Sequence, residues 1–456
     1  MEVFGSSGVR GVALEELRPA DAMAVAQAAG AVFASDADRV AVGRDTRETG
    51  ELLADAASSG LASVGCGVDR PGVVPTPSLQ AYCEREGVPG LMVTASHNPP
   101  EYNGIKLCGS DGVELTLETL ERIEQRLDAD PELVPWDETG EVARVDGVNR
   151  RYRAELLEAV DRERIADADL TVALDPGHGA GTLTSPEFFR QLGCRVVTVN
   201  AQPDGHFPGR RPEPVAANLA DLGRLVRAAD ADVGVAHDGD ADRAIFFDER
   251  GEFAEGDAAL AALAAAELGA GDVVVSAVNA SQRLVDVADA ADAELRLTPI
   301  GSTHIITAIR EFVAEGASIP VAGEGNGGII FPSYRTARDG AYTAARFCEL
   351  LADQPASEVL AAYDGYHNVR HNVGYETDAQ REAMIDAIEA AAAAAEAPAD
   401  TIDGYRLNYD DAWVLARPSG TEPVIRVYAE AADADRAADL ADRLLERIED
   451  AKRSAA

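Results

Sequence analysis

The stretch Arg39-Val-Ala-Val-Gly-Arg44 is a short strand-like run that leads into helix-compatible sequence. The same order, a strand-like run followed by small or acidic residues and then a helix pattern, returns at Leu170-Thr-Val-Ala-Leu-Asp175 and Asp272-Val-Val-Val-Ser276. A repeated strand-then-helix order predicts three α/β units with similar wiring. Polar stretches near Asp146-Gly-Val-Asn149, Asp248-Glu-Arg-Gly251 and Gly365-Tyr-His367 separate them, so the expected domains are 1–147, 148–248, 249–365 and 366–456. A chain of 456 residues suits about three to four domains. The last is expected to be a smaller α+β domain. Its Ala-rich segment Ile385 to Glu396 reads as a helix, because alanine is the best helix former, and a strand is expected at Ala412 to Ala416.

Ser96 lies in Thr94-Ala-Ser-His-Asn-Pro-Pro-Glu-Tyr-Asn-Gly-Ile-Lys106, between the apolar run Leu91-Met-Val93 and the helix-breaking Pro99-Pro100. That puts a serine on a loop after a strand, where catalytic groups tend to sit, and makes it a candidate for covalent chemistry. A serine hydrolase would need a base and an orienting acid. His97 is adjacent in sequence, an arrangement that usually points the side chain elsewhere, and the Gly-x-Ser-x-Gly elbow is missing. Taken alone, the loop is also compatible with a plain polar turn.

Asp238-Gly-Asp-Ala-Asp242, followed by Arg243, places carboxylates at alternate positions of a tight loop. Such oxygens can converge on a hard cation, Mg²⁺ or Ca²⁺. An EF-hand would need glycine where Arg243 stands and helices where Val233-Gly-Val-Ala and Ala244-Ile-Phe-Phe read as strands. A cation beside Arg243 suits phosphoryl transfer. Arg417-Pro-Ser-Gly-Thr-Glu-Pro-Val-Ile-Arg426 supplies guanidinium groups, hydroxyls and a glycine turn, the requirements of a phosphate dianion, although an ordinary turn before a strand has the same outline. Gly323-Glu-Gly-Asn-Gly-Gly328 matches a dinucleotide fingerprint in letters only, since Ile329-Ile-Phe-Pro332 reads as a strand where that motif has a helix. A hairpin turn presenting Glu324 and Asn326, suited to sugar hydroxyls, is the better reading.

In this order, and with Phe4-Gly-Ser-Ser-Gly-Val-Arg-Gly11, Val42-Gly-Arg-Asp-Thr-Arg47 and Arg338-Asp-Gly340, the segments resemble the α-D-phosphohexomutases, the family of phosphoglucomutase, phosphomannomutase and phosphoglucosamine mutase. The resemblance implies three similar mixed α/β domains plus a C-terminal α+β domain around a central cleft. It implies a phosphoserine at Ser96, and Mg²⁺ held by Asp238, Asp240, Asp242 and an oxygen of that phosphoserine. Phosphate would pass to the free hydroxyl of a hexose monophosphate, giving a bisphosphate that turns over in the cleft and returns its other phosphate to Ser96. Arg10, Lys106 and Arg243 would neutralise the reacting phosphate, and Arg417, Ser419, Gly420, Thr421 and Arg426 would hold the other one. His97, Glu324 and Asn326 would contact the substrate, and the Arg417 domain would close over the cleft as a lid.

Departures from the family fall in the specificity loops. Asn326 and Gly328 stand where many bacterial relatives have Ser and His, Val424 replaces a lysine, and Thr298-Pro-Ile-Gly-Ser-Thr-His304 fits only loosely. His304 is an acid/base candidate or a structural residue at a helix start. The form of the sugar loop resembles archaeal members acting on glucosamine and mannose phosphates. Phosphoglucomutase is the alternative, with a metal-dependent sugar phosphatase and a non-catalytic sensor behind it.

Forty basic against eighty acidic side chains give a formal charge of −40, which excludes nucleic acid and anionic membrane surfaces as partners. Many acids with few lysines resemble a halophile's cytoplasmic protein. Five scattered cysteines without a Cys-x-x-Cys fit reduced thiols. No apolar span of about 20 residues is present, and the expected assembly is a monomer or homodimer.

Overall fold

The computed structural model describes residues 4, 8–35, 37–419 and 423–455. The chain forms four domains, each built on its own sheet. In the first, strand order is Val9–Val12, Tyr102–Cys108, Gly90–Val93, Arg39–Arg44, Gly67–Val73, Val142–Arg144. The last four of these run parallel, and the first two pair antiparallel. Arg39–Arg44 is central, and Val40, Ala41 and Val42 are buried on both faces, as a strand covered by helices on both sides must be. Helices Pro19–Phe33 and Gly50–Ser63 pack together on one side, and Thr76–Glu86 packs on the sheet through Leu79 and Cys83.

The second sheet runs Ile245–Phe247, Val233–Ala236, Thr171–Asp175, Arg195–Thr198, with only the first pairing antiparallel. The two runs flanking the acidic cluster are therefore strands, as their sequence predicts. The third runs Glu294–Thr298, Val273–Ala277, Ala322–Gly323, Ile329–Phe331, Arg335–Arg338. Its last three strands are antiparallel neighbours, so the glycine-rich stretch is a hairpin, with Gly323 opposite Ile329. The fourth sheet is antiparallel throughout, in the order His367–Gly374, Val424–Ala431, Ala412–Pro418, Tyr405–Asn408, Ala399–Asp400, and helices Asp378–Ala393 and Ala434–Ser454 cover it. The Ala-rich helix starts earlier than the alanine run, where Thr377 caps it by accepting from the Gln380 amide, and it ends at Ala393 instead of Glu396. The strand expected to stop at Ala416 continues to Pro418.

The fourth domain is tied to the third by charge. Arg406 donates to the carbonyls of Val278 (2.5 Å) and Ala280 (3.3 Å). Glu430, fully buried, accepts from the Gln282 amide and from Trp413 Nε1.

Two loops leave the carboxyl ends of parallel strands and face each other. The Ser96 loop follows Gly90–Val93, and the acidic loop follows Val233–Ala236. The crevice outside the carboxyl ends of strands is where α/β sheets place ligands.

Candidate active site

Ser96 sits at φ +50°, the left-handed region, which costs a non-glycine residue about 1–3 kcal/mol and persists only where the surroundings enforce it. Arg47 does the enforcing. Fully buried, its guanidinium donates to the carbonyls of Ser96 (3.0 Å), Asn98 (2.7 Å), Pro99 (2.6 Å) and Tyr102 (2.9 Å), while Nε pairs with Asp45 at 3.1 Å. Asp45 also accepts from Thr94 Oγ1, which in turn accepts from the Ser96 amide. The serine loop is thus wrapped round one arginine.

The acidic loop is fixed by all three α/β domains. The carbonyl of Asp240 accepts from the Thr76 amide, that of Gly239 from Ala180, and that of Ala241 from Gly340. Arg210 pairs with Asp175 at 2.9 Å and donates to the carbonyl of His237 at 2.6 Å, securing the strand end from behind. Ala241, at φ +57°, turns the chain between Asp240 and Asp242. The two loops touch: a Cβ on Gly239 would lie 2.7 Å from the Ser96 carbonyl oxygen, so only glycine allows this approach.

The contact brings Ser96 Oγ to 2.5 Å from Asp238 Oδ2. Asp238, Asp240 and Asp242 are all buried, with ligand-capable oxygens within 4.8 Å of one another. Their oxygens are divided in a telling way. Asp240 Oδ2 accepts from Thr76 Oγ1 (2.6 Å) and Lys106 Nζ (2.7 Å), and Asp242 Oδ2 is bound by Lys106 (2.9 Å) and Arg338 (2.7 Å). Oδ1 of both is buried without a hydrogen-bond partner. Buried carboxylate oxygens without hydrogen bonds are costly, and a cation bound among the three acids would satisfy them. Burial and its two acidic neighbours push Asp238 up to about 8, against the opposing pull of Arg243. Burial would raise Asp242 too, but Arg338, Lys106 and Arg243 outweigh it and hold it well below the usual range. An all-oxygen donor set of this kind fits Mg²⁺.

Cations ring the acids. Arg243 Nε lies 3.9 Å from both Asp238 and Asp242, and Arg10 donates to Asn98 Oδ1 at 2.8 Å. Nε of each is buried without a hydrogen-bond partner, leaving donors for an anion. Burial, helped by Arg243 and Arg338, lowers Arg10 to about 10, still charged at neutral pH. His97 Nδ1 is 3.3 Å from Ser96 Oγ; burial and then Arg243 and Arg10 hold its imidazole well below 6.5, so it is neutral.

The structure therefore gathers Ser96, His97, Arg10, Lys106, Arg243 and the three aspartates. The hairpin that carries Glu324 and Asn326 adjoins them, since the Ala244 amide donates to the Gly327 carbonyl. Arg417 stands opposite Arg426 on a separate hairpin and pairs with Asp403 at 2.9 Å, and the Ser419 amide donates to the Val424 carbonyl. Gly420 and Thr421 lie outside the described residues. His304 is in the first turn of helix Ser302–Ala314. Sequence reading quoted the motifs holding Arg47 and Arg338 but gave neither a role, and it missed Thr76 and Arg210.

Models of the phosphoglucomutase/phosphomannomutase α/β/α domains I, II and III match residues 1–133, 150–251 and 255–366, and the model of that family's C-terminal domain matches 374–447. A probable phosphoglucosamine mutase of Methanopyrus kandleri is 42% identical over 452 residues, 98% of this chain and 97% of that protein. A phosphoglucomutase/phosphomannomutase of Thermococcus kodakarensis is 39% identical over 461 residues, 99% of each. Among solved structures, a phosphoglucomutase/phosphomannomutase family protein of Burkholderia thailandensis superposes with a TM-score of 0.83 at 27% identity, covering 100% of this chain and 97% of that one.

Proposed function

The chain belongs to the phosphoglucomutase/phosphomannomutase family and is a phosphohexomutase, and from that premise we propose that it exchanges the 1- and 6-phosphates of glucosamine and mannose through a phosphoserine at Ser96. The observation that carries the phosphoserine reading is the 2.5 Å contact between Ser96 Oγ and Asp238, beside two buried carboxylate oxygens without hydrogen-bond partners, and the names of the two relatives support the sugars. Mg²⁺ held by Asp238, Asp240, Asp242 and an oxygen of phosphorylated Ser96 would act as a Lewis acid on the phosphoryl oxygens.

The residues of the chain do the rest by position and charge. As the bond from phosphorus to Ser96 Oγ breaks, one forms to the oxygen of the sugar's free hydroxyl, and the proton that hydroxyl gives up ends, in net balance, on Ser96 Oγ. The bisphosphate then turns over and its other phosphate returns to Ser96. Arg10 and Arg243 offer Nε donors that have no hydrogen-bond partner to the moving group, and Lys106 holds Asp240 and Asp242 in their charged form. Arg417, Ser419 and Arg426, with Gly420 and Thr421, grip the phosphate that is not reacting, while Glu324 and Asn326 take the sugar hydroxyls and His97 lines the reacting end. A substrate that binds in two orientations needs a clamp at each end, and simple hydrolysis does not. The acidic surface supports a cytoplasm of high salt.

Phosphorus NMR tests this directly. The protein with Mg²⁺, a trace of hexose bisphosphate and equal glucosamine, mannose and glucose 6-phosphates at high salt is expected to give new 1-phosphate signals for glucosamine and mannose first. Ser96→Ala is expected to lose turnover with its fold intact. Inorganic phosphate as the sole product would refute the exchange of sugar phosphates and favour a phosphatase, and near-normal turnover in Ser96→Ala would refute the phosphoserine mechanism.

A further inference from the structure

Two glycines end the turn of the sugar hairpin, and they are glycine for different reasons. Gly327 has φ +87°, a conformation that favours glycine by itself. Gly328 does not adopt such a φ, so it is space, not backbone, that a side chain would lack. A Cβ there would lie 2.7 Å from Cδ of Arg338 and 3.0 Å from Oδ1 of Asn326. Arg338 is not free to step aside. It is buried, with Nη2 2.7 Å from Asp242 Oδ2 and 3.6 Å from Oε1 of Glu114, and Glu114 is itself fixed by Ser302 Oγ at 2.8 Å. One guanidinium thus spans carboxylates of the first and second domains from a strand of the third.

We propose that Arg338 is a positioning residue for the acidic loop: it binds Asp242 Oδ2 so that Oδ1 stays turned to the cation, and Gly328 is bare because the Arg338 stem fills the space of its side chain. This rests on the reading of the three aspartates as a cation site. Without Arg338 only the single Lys106 contact at 2.9 Å would hold Oδ2, a point contact about which the carboxylate can turn, and groups that orient a metal ligand typically govern affinity by about 10–100-fold. The sign of the effect separates orientation from charge. Removing a cation from beside Asp242 makes the site more negative, so a purely electrostatic Arg338 predicts tighter metal binding, whereas a positioning Arg338 predicts weaker binding.

The probe is Mn²⁺ alone, added to the full-length chain and followed by electron paramagnetic resonance, with thermal melting on the same samples. If the wild type has no Mn²⁺ site that Asp242→Asn removes, the cation reading fails and takes this inference with it. Given that site, Arg338→Ala is expected to weaken Mn²⁺ binding about tenfold or more. Gly328→Ala is expected to weaken it too, by pushing the stem off Asp242. The double variant should bind no more weakly than Arg338→Ala, because the added methyl then has room. Unchanged or tighter binding in Arg338→Ala, or losses that multiply in the double variant, would overturn the inference while leaving the cation site standing. Should the alanine variant not fold, Arg338→Lys keeps a stem and a charge without the fork. A loss of about threefold or more there supports the proposal, and wild-type affinity overturns it.

Discussion

Arg47 shows what a single residue settles in this site. Its guanidinium answers carbonyls 49 to 55 positions away and fixes the left-handed Ser96. Burial raises Asp45, with Arg47 the main opposing influence. Removing one partner of a buried ion pair costs about 3–5 kcal/mol, since the other is left uncompensated. Arg47→Met is expected to lose stability on that order in urea unfolding and to lose mutase activity as well, and Asp45→Asn added to it should recover part of the stability but not the activity. Equal stability in wild type and Arg47→Met would refute the clamp. Sequence alone made Ser96 and the three aspartates legible, because their chemistry is written in residue type and local spacing. Arg47, Arg210 and Arg338 were not legible, since an arginine's role is decided by which distant carbonyl or carboxylate the fold brings to it.

At the scale of elements, the sugar hairpin and the Ala-rich helix were legible from glycine spacing and helix propensity, while the helix's true start depended on its Thr377 cap. What lay hidden was the support under the hairpin. Asp257, in the first turn of helix Gly256–Glu267, packs so closely beneath it that a Cβ on Gly325 would lie 2.0 Å from Oδ1 of Asp257. Burial raises Asp257 to about 6, against the opposing pull of Arg370, 3.6 Å away. The unfolded chain ionises this carboxyl near its ordinary value of about 4, so between about pH 4 and 6 the folded state holds more protons and stability falls as pH rises. The penalty is complete above about 6, on the order of 3 kcal/mol. Asp257→Asn is therefore expected to stabilise the protein at pH 7.5 and to change it little at pH 4, as read by thermal melting at each pH; a gain that is equal at both would contradict the assignment. On the fourth domain's hairpin, Arg417→Ala removes the clamp proposed for the phosphate that is not reacting, a contact that would be made in ground and transition states alike. It is expected to raise KM for hexose phosphate with little change in kcat, and a fall in kcat at constant KM would point to a different role.

For the whole molecule, the formal charge of −40 is the governing quantity. Self-repulsion at long range weakens as the Debye length shrinks from about 10 Å at 0.1 M salt to about 3 Å at 1 M. The melting temperature is expected to rise by about 5 °C or more from 0.1 to 2 M KCl, and a flat or falling trend would show that the acidic surface is not a salt adaptation. The four-domain plan was legible because three units repeat one strand-then-helix pattern and the fourth breaks from it, but the ties that seat the domains on one another were not. Arg406, Glu430 and Arg338 reach across sequence distances that no local pattern encodes. The basic complement is lopsided as well: of forty Lys and Arg residues only two are lysine, Lys106 beneath the aspartates and Lys452 on the last helix. Acylating reagents attack neutral amines, and Asp240 and Asp242 keep the Lys106 amine protonated and enclosed. Apart from any free α-amino group, tagging with such a reagent will thus mark Lys452 and spare the acidic cluster, so a dye or surface linker can be attached at one known side chain, and the appearance of label on Lys106 becomes a direct readout of the buried cluster coming open.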